Sequence, residues 1–136
     1  MIKSHVISAI VVACLFLLQS AGAQQTGIAS YYADFFDGRK MANGDRYDPS
    51  EMTCAHPTAP IGTLLKVVRK DDPTKSVIVT VSDRGPYVKG RIIDLSKAAA
   101  AELDLLHHGI TEVTVGIIRK PEALSEGYFR MSHAQD

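Results

Sequence analysis

Residues 76–81 read Ser-Val-Ile-Val-Thr-Val, the strongest strand signal in the chain. Val77, Val79 and Val81 fall on one face at a period of two, so this segment is predicted to bury that face and show the other to water. Four more short strands are predicted at residues 27–33, 63–69, 91–95 and 113–118. Turn chemistry separates them, in Asp37-Gly38-Arg39, Ala42-Asn43-Gly44-Asp45 and Lys70-Asp71-Asp72-Pro73-Thr74. One helix is predicted: Ser96 is placed to cap it, residues 98–101 are all alanine, and Gly109 lies past its end. Leu95, Ala99, Leu103 and Leu106 fall on one face at helical spacing, which marks a core contact. His107 and His108 would then sit at the helix end, where a cation is favoured. About six short strands and one helix predict a mainly β chain that closes into a small barrel.

The N-terminus is of another kind. Lys3 precedes an apolar run over residues 6–18 that only Ser8 breaks, and Ala21-Gly22-Ala23 supplies the small residues signal peptidase needs. The run is shorter than the roughly 20 residues a membrane span takes. Residues 1–23 are therefore expected to be a signal peptide, leaving 24–136 as an exported chain in the periplasm or cell envelope. A rival reading takes Val11-Val12-Ala13-Cys14 as a lipobox with Cys14 lipidated, the one route to membrane contact. Leu15-Phe16-Leu17-Leu18 argues against it, because a cut there would leave an apolar mature end. Loss of the leader leaves Cys54 as the single thiol, so no intramolecular disulfide is expected. Residues 119–136 mix charges without periodicity and are expected to form a loosely held tail.

Composition narrows the function classes. Lys plus Arg and Asp plus Glu both count 15, which argues against a nucleic-acid binder working through bulk charge. A hydrophobic share of 46% is enough for a core and excludes disorder. Trp is absent, so any stacking on a sugar must use tyrosine or phenylalanine.

Asp83 is the carboxylate that invites chemistry. If the strand runs that far, it extends the Val77, Val79, Val81 face and places a carboxyl at the end of an apolar row. Partial desolvation there would favour the protonated form a general acid needs. Alternatively, Asp83 pairs with Arg84 or Arg91 and only closes the turn; spacing alone leaves both open. Asp45 in a glycine-hinged loop and His56 beside Pro57 are by themselves ordinary turn and structural residues. Cys54 and His56 lie two apart with no second pair at ligand spacing, so no metal site is expected, and no cofactor is implied. Cys54 carries no mark of a reactive thiol, and there is neither a phosphate loop nor a nucleophile elbow.

Four segments taken in order carry a resemblance. They are Gly27-Ile28-Ala29-Ser30-Tyr31-Tyr32, Met41-Ala42-Asn43-Gly44-Asp45-Arg46-Tyr47-Asp48, Thr53-Cys54-Ala55-His56-Pro57 leading to Ile61-Gly62-Thr63, and Ser82-Asp83-Arg84-Gly85-Pro86-Tyr87 with Gly90-Arg91-Ile92-Ile93-Asp94-Leu95-Ser96. From about Gly27 to Ile118 the chain resembles the RlpA family (rare lipoprotein A), septal-ring endolytic peptidoglycan transglycosylases. The resemblance implies a six-stranded double-psi β-barrel with one short α-helix over residues 24–118. It implies cleavage between N-acetylmuramic acid and N-acetylglucosamine, leaving 1,6-anhydromuramic ends, on glycan strands preferably stripped of stem peptides. The family's acidic residue falls on Asp83, the carboxylate of its ANGE motif on Asp45, and its histidine on His56. Asp83 would protonate the departing oxygen and then help deprotonate the attacking C6 hydroxyl, with Asp45 supporting the oxocarbenium-like state. His56 would hydrogen-bond substrate or a carboxylate, while Tyr32, Asn43, Arg84 and Tyr87 are expected to contact the glycan. A monomer is expected.

Two positions depart from the family pattern. Asp45 stands where the family usually has Glu, and Met41 where it has Thr. A missing methylene moves a carboxylate by about an ångström, and such misplacement costs roughly 10²-fold in rate. That motivates the rival reading of a non-catalytic, expansin-like wall-binding module. A second rival is a true hydrolase with Asp83 as acid and Asp45 as base. Only 18 residues follow Ile118, too few for the SPOR domain many members carry, so septal targeting is not expected to carry over.

Overall fold

The computed structural model describes residues 23–119. Residues 1–22 of the expected leader, Cys14 among them, and residues 120–136 of the expected tail lie outside them. Six strands, β1 Gln25–Tyr31, β2 Thr53–Ala55, β3 Leu64–Arg69, β4 Ser76–Asp83, β5 Arg91–Leu95 and β6 Thr111–Arg119, close a barrel in the order β1-β5-β2-β4-β3-β6. A 3-10 turn at Asp34–Phe36 and one α-helix, α1 at Lys97–Glu102, complete the described elements. β1 pairs parallel with β5, and β2 parallel with β4, while the other four pairings are antiparallel. β2 lies between the sequence neighbours β4 and β5, and β1 lies between β5 and β6. These two interposed strands interlock the chain, as the double-psi expectation requires.

Alternation builds the core. On β4, Val77, Val79 and Val81 are buried while Ile78 is half exposed. β3 contributes Leu65 and Val67 and β6 contributes Val113 and Val115 to the same interior. The hairpin between β3 and β4 is set by Asp72, whose Oδ1 accepts from the N–H and hydroxyl of Thr74.

Two details depart from the sequence expectation. β2 is a strand of only three residues, too short to show a period, and it exists because β4 and β5 satisfy its two edges. The helix is shorter than expected. Ser96 does cap it, its Oγ accepting from Ala99 N–H, but it ends in a Schellman turn. Asp104 is left-handed at φ 54°, its N–H reaches Ala101 O, and Leu105 N–H reaches Ala100 O. The turn swings Leu105 inward to full burial and leaves Leu106 36% exposed, so Leu105 takes the place expected of Leu106. His107 and His108 therefore lie beyond the helix rather than at its end.

Candidate active site

Asp83 is the last residue of β4, and register decides where it points. Cys54 pairs with Val81, but the next residue, Ala55, pairs with Asp83, so Ser82 is an extra residue on the β4 side. A bulge of this kind re-aims the side chains after it. The period-two row ends at Val81. Asp83 then stands beside Ala55, half buried, at the floor of an open depression of ≈ 480 Å³. Ser82 is buried, with its hydroxyl toward Met41 Sδ at 3.3 Å and Cys54 O at 3.3 Å. Met41, where the family pattern has Thr, thus seals the bulge from below.

Three donors hold the Asp83 carboxylate. Oδ1 accepts from Ala42 N–H and Arg84 N–H, both at 2.9 Å, and Oδ2 accepts from the Tyr32 hydroxyl at 2.6 Å. Among the described residues no lysine or arginine forms an ion pair with Asp83. The turn-closing partners are engaged elsewhere. Arg84 Nη1 donates to His56 O at 3.1 Å and Ala59 O at 2.6 Å, and Arg91 pairs with Asp94 at 2.7 Å. A carboxylate offers about four lone-pair sites. Asp83 spends three, and one on Oδ2 remains for a ligand.

Tyr32 is a positioning group as well as a wall. Burial, then the Asp83 hydrogen bond, then the charges of Asp83 and Asp94 push its phenol well above the ordinary value, so it stays a donor. Its ring is clamped against Tyr47 at 4.6 Å and Phe36 at 5.5 Å. Phe36 and the 81% exposed Tyr87 flank the depression. Tyr87 is the most exposed of the aromatic rings along it, while the Phe36 ring packs on Tyr32 and Phe35.

The loop over residues 41–45 caps this end of β4. Asn43 N–H donates to Ser82 O, Met41 N–H to Asp45 O, and Gly44 holds φ 93° to turn the chain. Asp45 is exposed: its N–H bonds Asn43 Oδ1 and its Oδ2 accepts from Asn43 Nδ2 at 3.2 Å. Neither Asp45 nor Asn43 lines the depression; their loop reaches the Asp83 carboxylate through Ala42 N–H.

His56 is placed differently. Its main-chain N–H donates to Asp83 O, which ties the two residues through the backbone. Its ring is 6% exposed and faces another depression of ≈ 420 Å³. There Nδ1 accepts from Thr58 N–H and Ala59 N–H, and Nε2 donates to Gln25 Oε1 at 3.0 Å. Burial, with the Arg84 charge second, holds the imidazole below its ordinary value, hence neutral. Cys54 is fully buried and its thiol is pushed up by that burial, so it offers no nucleophile. Among the described residues no three His, Cys, Asp or Glu side chains gather as a metal site would need.

Comparison with known proteins agrees with this geometry. Residues 24–115 match the lytic transglycolase family. The chain is 42% identical over 99 residues to the endolytic peptidoglycan transglycosylase RlpA of Campylobacter jejuni, covering 73% of this chain and 36% of that one. It is 45% identical over 101 residues to the Pasteurella multocida protein of the same name, covering 74% and 34%. The chain thus spans about a third of the length of these curated relatives. Among solved structures, the Streptomyces papain inhibitor superposes at TM-score 0.58 with 29% identity, covering 74% of this chain and 98% of the inhibitor. The apo expansin of Clavibacter michiganensis superposes at 0.55 with 25% identity, covering 73% and 52%.

Proposed function

This chain belongs to the lytic transglycolase family of double-psi β-barrel proteins, and on that premise we propose that it cleaves peptidoglycan glycan strands between N-acetylmuramic acid and N-acetylglucosamine without water, leaving 1,6-anhydro ends. One observation carries the reading: the Asp83 carboxylate is fixed by three donors, lines an open groove and keeps one oxygen lone pair free. With a proton on that free position, Asp83 hands it to the departing glycosidic oxygen. The muramic C6 hydroxyl attacks C1 as that bond breaks, and its proton passes to a carboxylate of the same groove. No water-activating partner is required, unlike the two-carboxylate hydrolases.

The remaining roles belong to the same proposal. Tyr32 keeps the Asp83 carboxyl in one rotamer. Asn43 contacts the glycan and Asp45 supports positive charge on the sugar, from the loop whose Ala42 N–H holds Asp83. Tyr87 and Arg84 line the wall, and His56 acts through its main-chain bond to Asp83. Peptide-free strands are the preferred substrate, and the enzyme works as an exported monomer in the periplasm or cell envelope after removal of residues 1–23. Intact mass of the envelope protein tests the last point: a mature N-terminus at Gln24 is expected, and a diacylglyceryl group on Cys14 overturns it.

A second reading has specific support. The Clavibacter expansin shares the barrel, and Asp45 is one methylene shorter than the family's usual Glu, which favours a wall-binding module that cuts nothing. Mass spectrometry of peptide-free strands incubated with the purified protein separates the readings. Anhydro ends support lytic cleavage, reducing ends indicate hydrolysis, and intact strands leave binding alone. Asp83→Asn is expected to abolish anhydro ends while glycan binding persists.

A further inference from the structure

The groove holds a second carboxylate that the sequence reading left without a role. Register places it. Ala55 pairs with Asp83 across β2 and β4 and with Asp94 across β2 and β5, and Asp94 pairs in turn with Ser30 across β5 and β1. Residues paired across a sheet share a face. Ser30, Asp94, Ala55 and Asp83 thus form one row over four adjacent strands. Ile93 and Leu95, on either side of Asp94, are fully buried in the barrel, so Asp94 points the other way, into the depression that Asp83 also lines. Two strand spacings put their Cα atoms about 10 Å apart, with the buried Ala55 paired between them.

Asp94 is held for a purpose different from that of Asp83. Its Oδ1 accepts from the Ser30 hydroxyl and, at 2.7 Å, from Arg91 Nη2, which also donates to Ser30 Oγ. Its Oδ2 takes no partner among the described residues. The pair is only partly shielded, with Arg91 31% and Asp94 18% exposed, so the free oxygen can meet a ligand. Asp83, by contrast, faces no cation and has one lone pair to offer. That lone pair can hold the departing O4–H or the incoming O6–H, but not both in one step. A concerted transfer therefore needs a second acceptor, and Asp94 lines the same depression as Asp83.

We propose that Asp94, fixed by Arg91 and Ser30, is a second catalytic carboxylate that contacts the sugar and receives the proton of the C6 hydroxyl while Asp83 gives its own to O4. The C1–O4 bond breaks and C1–O6 forms; the Asp83 proton leaves on O4, the O6 proton stays on Asp94, and exchange with solvent resets both. The inference rests on the lytic reading above.

The test uses the purified protein on peptide-free glycan strands, with anhydro ends counted by mass spectrometry and binding measured in an Asp83→Asn background where nothing turns over. Asp94→Asn is expected to lower kcat by about 10²–10⁴-fold and to weaken glycan binding in the Asp83→Asn background. An unchanged kcat overturns the proposal. Because the amide strands the Arg91 charge and can weaken the fold, the charge-neutral double variant Arg91→Gln/Asp94→Asn is the second arm. A merely structural pair predicts recovery of wild-type rate in the double variant, which overturns the proposal; continued loss at wild-type melting temperature supports it. If the wild-type protein makes no anhydro ends, the lytic reading fails by itself, and binding then decides: tighter or equal binding without Asp94 removes the contact, and weakened binding upholds it.

Discussion

Acidification should loosen this fold through one ring. His56 is buried and neutral because Nδ1 accepts two main-chain N–H groups while Nε2 donates to Gln25. Protonating Nδ1 would aim a third N–H at two others. The unfolded chain has no such constraint and titrates near 6.5, whereas the folded ring is held lower, chiefly by burial. The unfolded state thus binds more protons between the two values, so stability is complete above about pH 6.5 and is lost as pH falls toward the depressed folded value. Between about pH 7.5 and about pH 5.5 the loss has a ceiling of about 1.4 kcal/mol, the linkage limit for one site that titrates only in the unfolded chain, or a melting shift of at most roughly 5–10 °C. His56→Asn is the matched control, since an Asn oxygen accepts from N–H groups ahead of it as an Asx turn does but does not titrate. The assay is melting temperature against pH for both proteins, read as their difference. Parallel curves, or a wild-type protein that gains stability on acidification relative to the variant, would refute the assignment of His56 as a neutral structural acceptor.

Tyr32→Phe keeps the ring stack on Tyr47 and Phe36 but removes the 2.6 Å donor to Asp83. A hydrogen bond to a charged group is worth about 1.5–3 kcal/mol, so anhydro-end formation should fall about 10- to 150-fold at a nearly unchanged melting temperature. Gly27→Ala would put a Cβ 2.5 Å from Ile92 Cγ2, a stiff β-branched neighbour across the β1–β5 pair. Urea unfolding should show about 1–3 kcal/mol lost, and Gly27→Ala/Ile92→Ala should regain part of it. Ser96→Ala removes the cap on α1 and should cost about 1 kcal/mol by the same method; no loss would mean that the Oγ to Ala99 bond is idle.

Local spacing settled much of this protein before any coordinate. The alternation of Val77, Val79 and Val81 names the inner face of β4, and Ser96 before a run of alanines names the start of α1, because side-chain direction within one element repeats with a fixed period. The same spacing carried the strand as far as Asp83, which is the last residue of β4. Where that carboxylate aims was beyond the sequence. One extra residue at Ser82 shifts the β2–β4 register and moves Asp83 off the Val81 face, and a register shift is a property of two strands together. The same holds for its partners. Tyr32 lies 51 positions from Asp83, Ser30 lies 64 from Asp94, and Gln25 lies 31 from His56, so these contacts exist only once the barrel has closed. Leu105 displaced Leu106 from the core for a related reason: a left-handed Asp104 outweighed the helical period that the leucines suggested. Periods belong to single segments and can be read from residue order, whereas register, capping turns and the commitment of a ring nitrogen depend on which distant backbone groups are left to be satisfied.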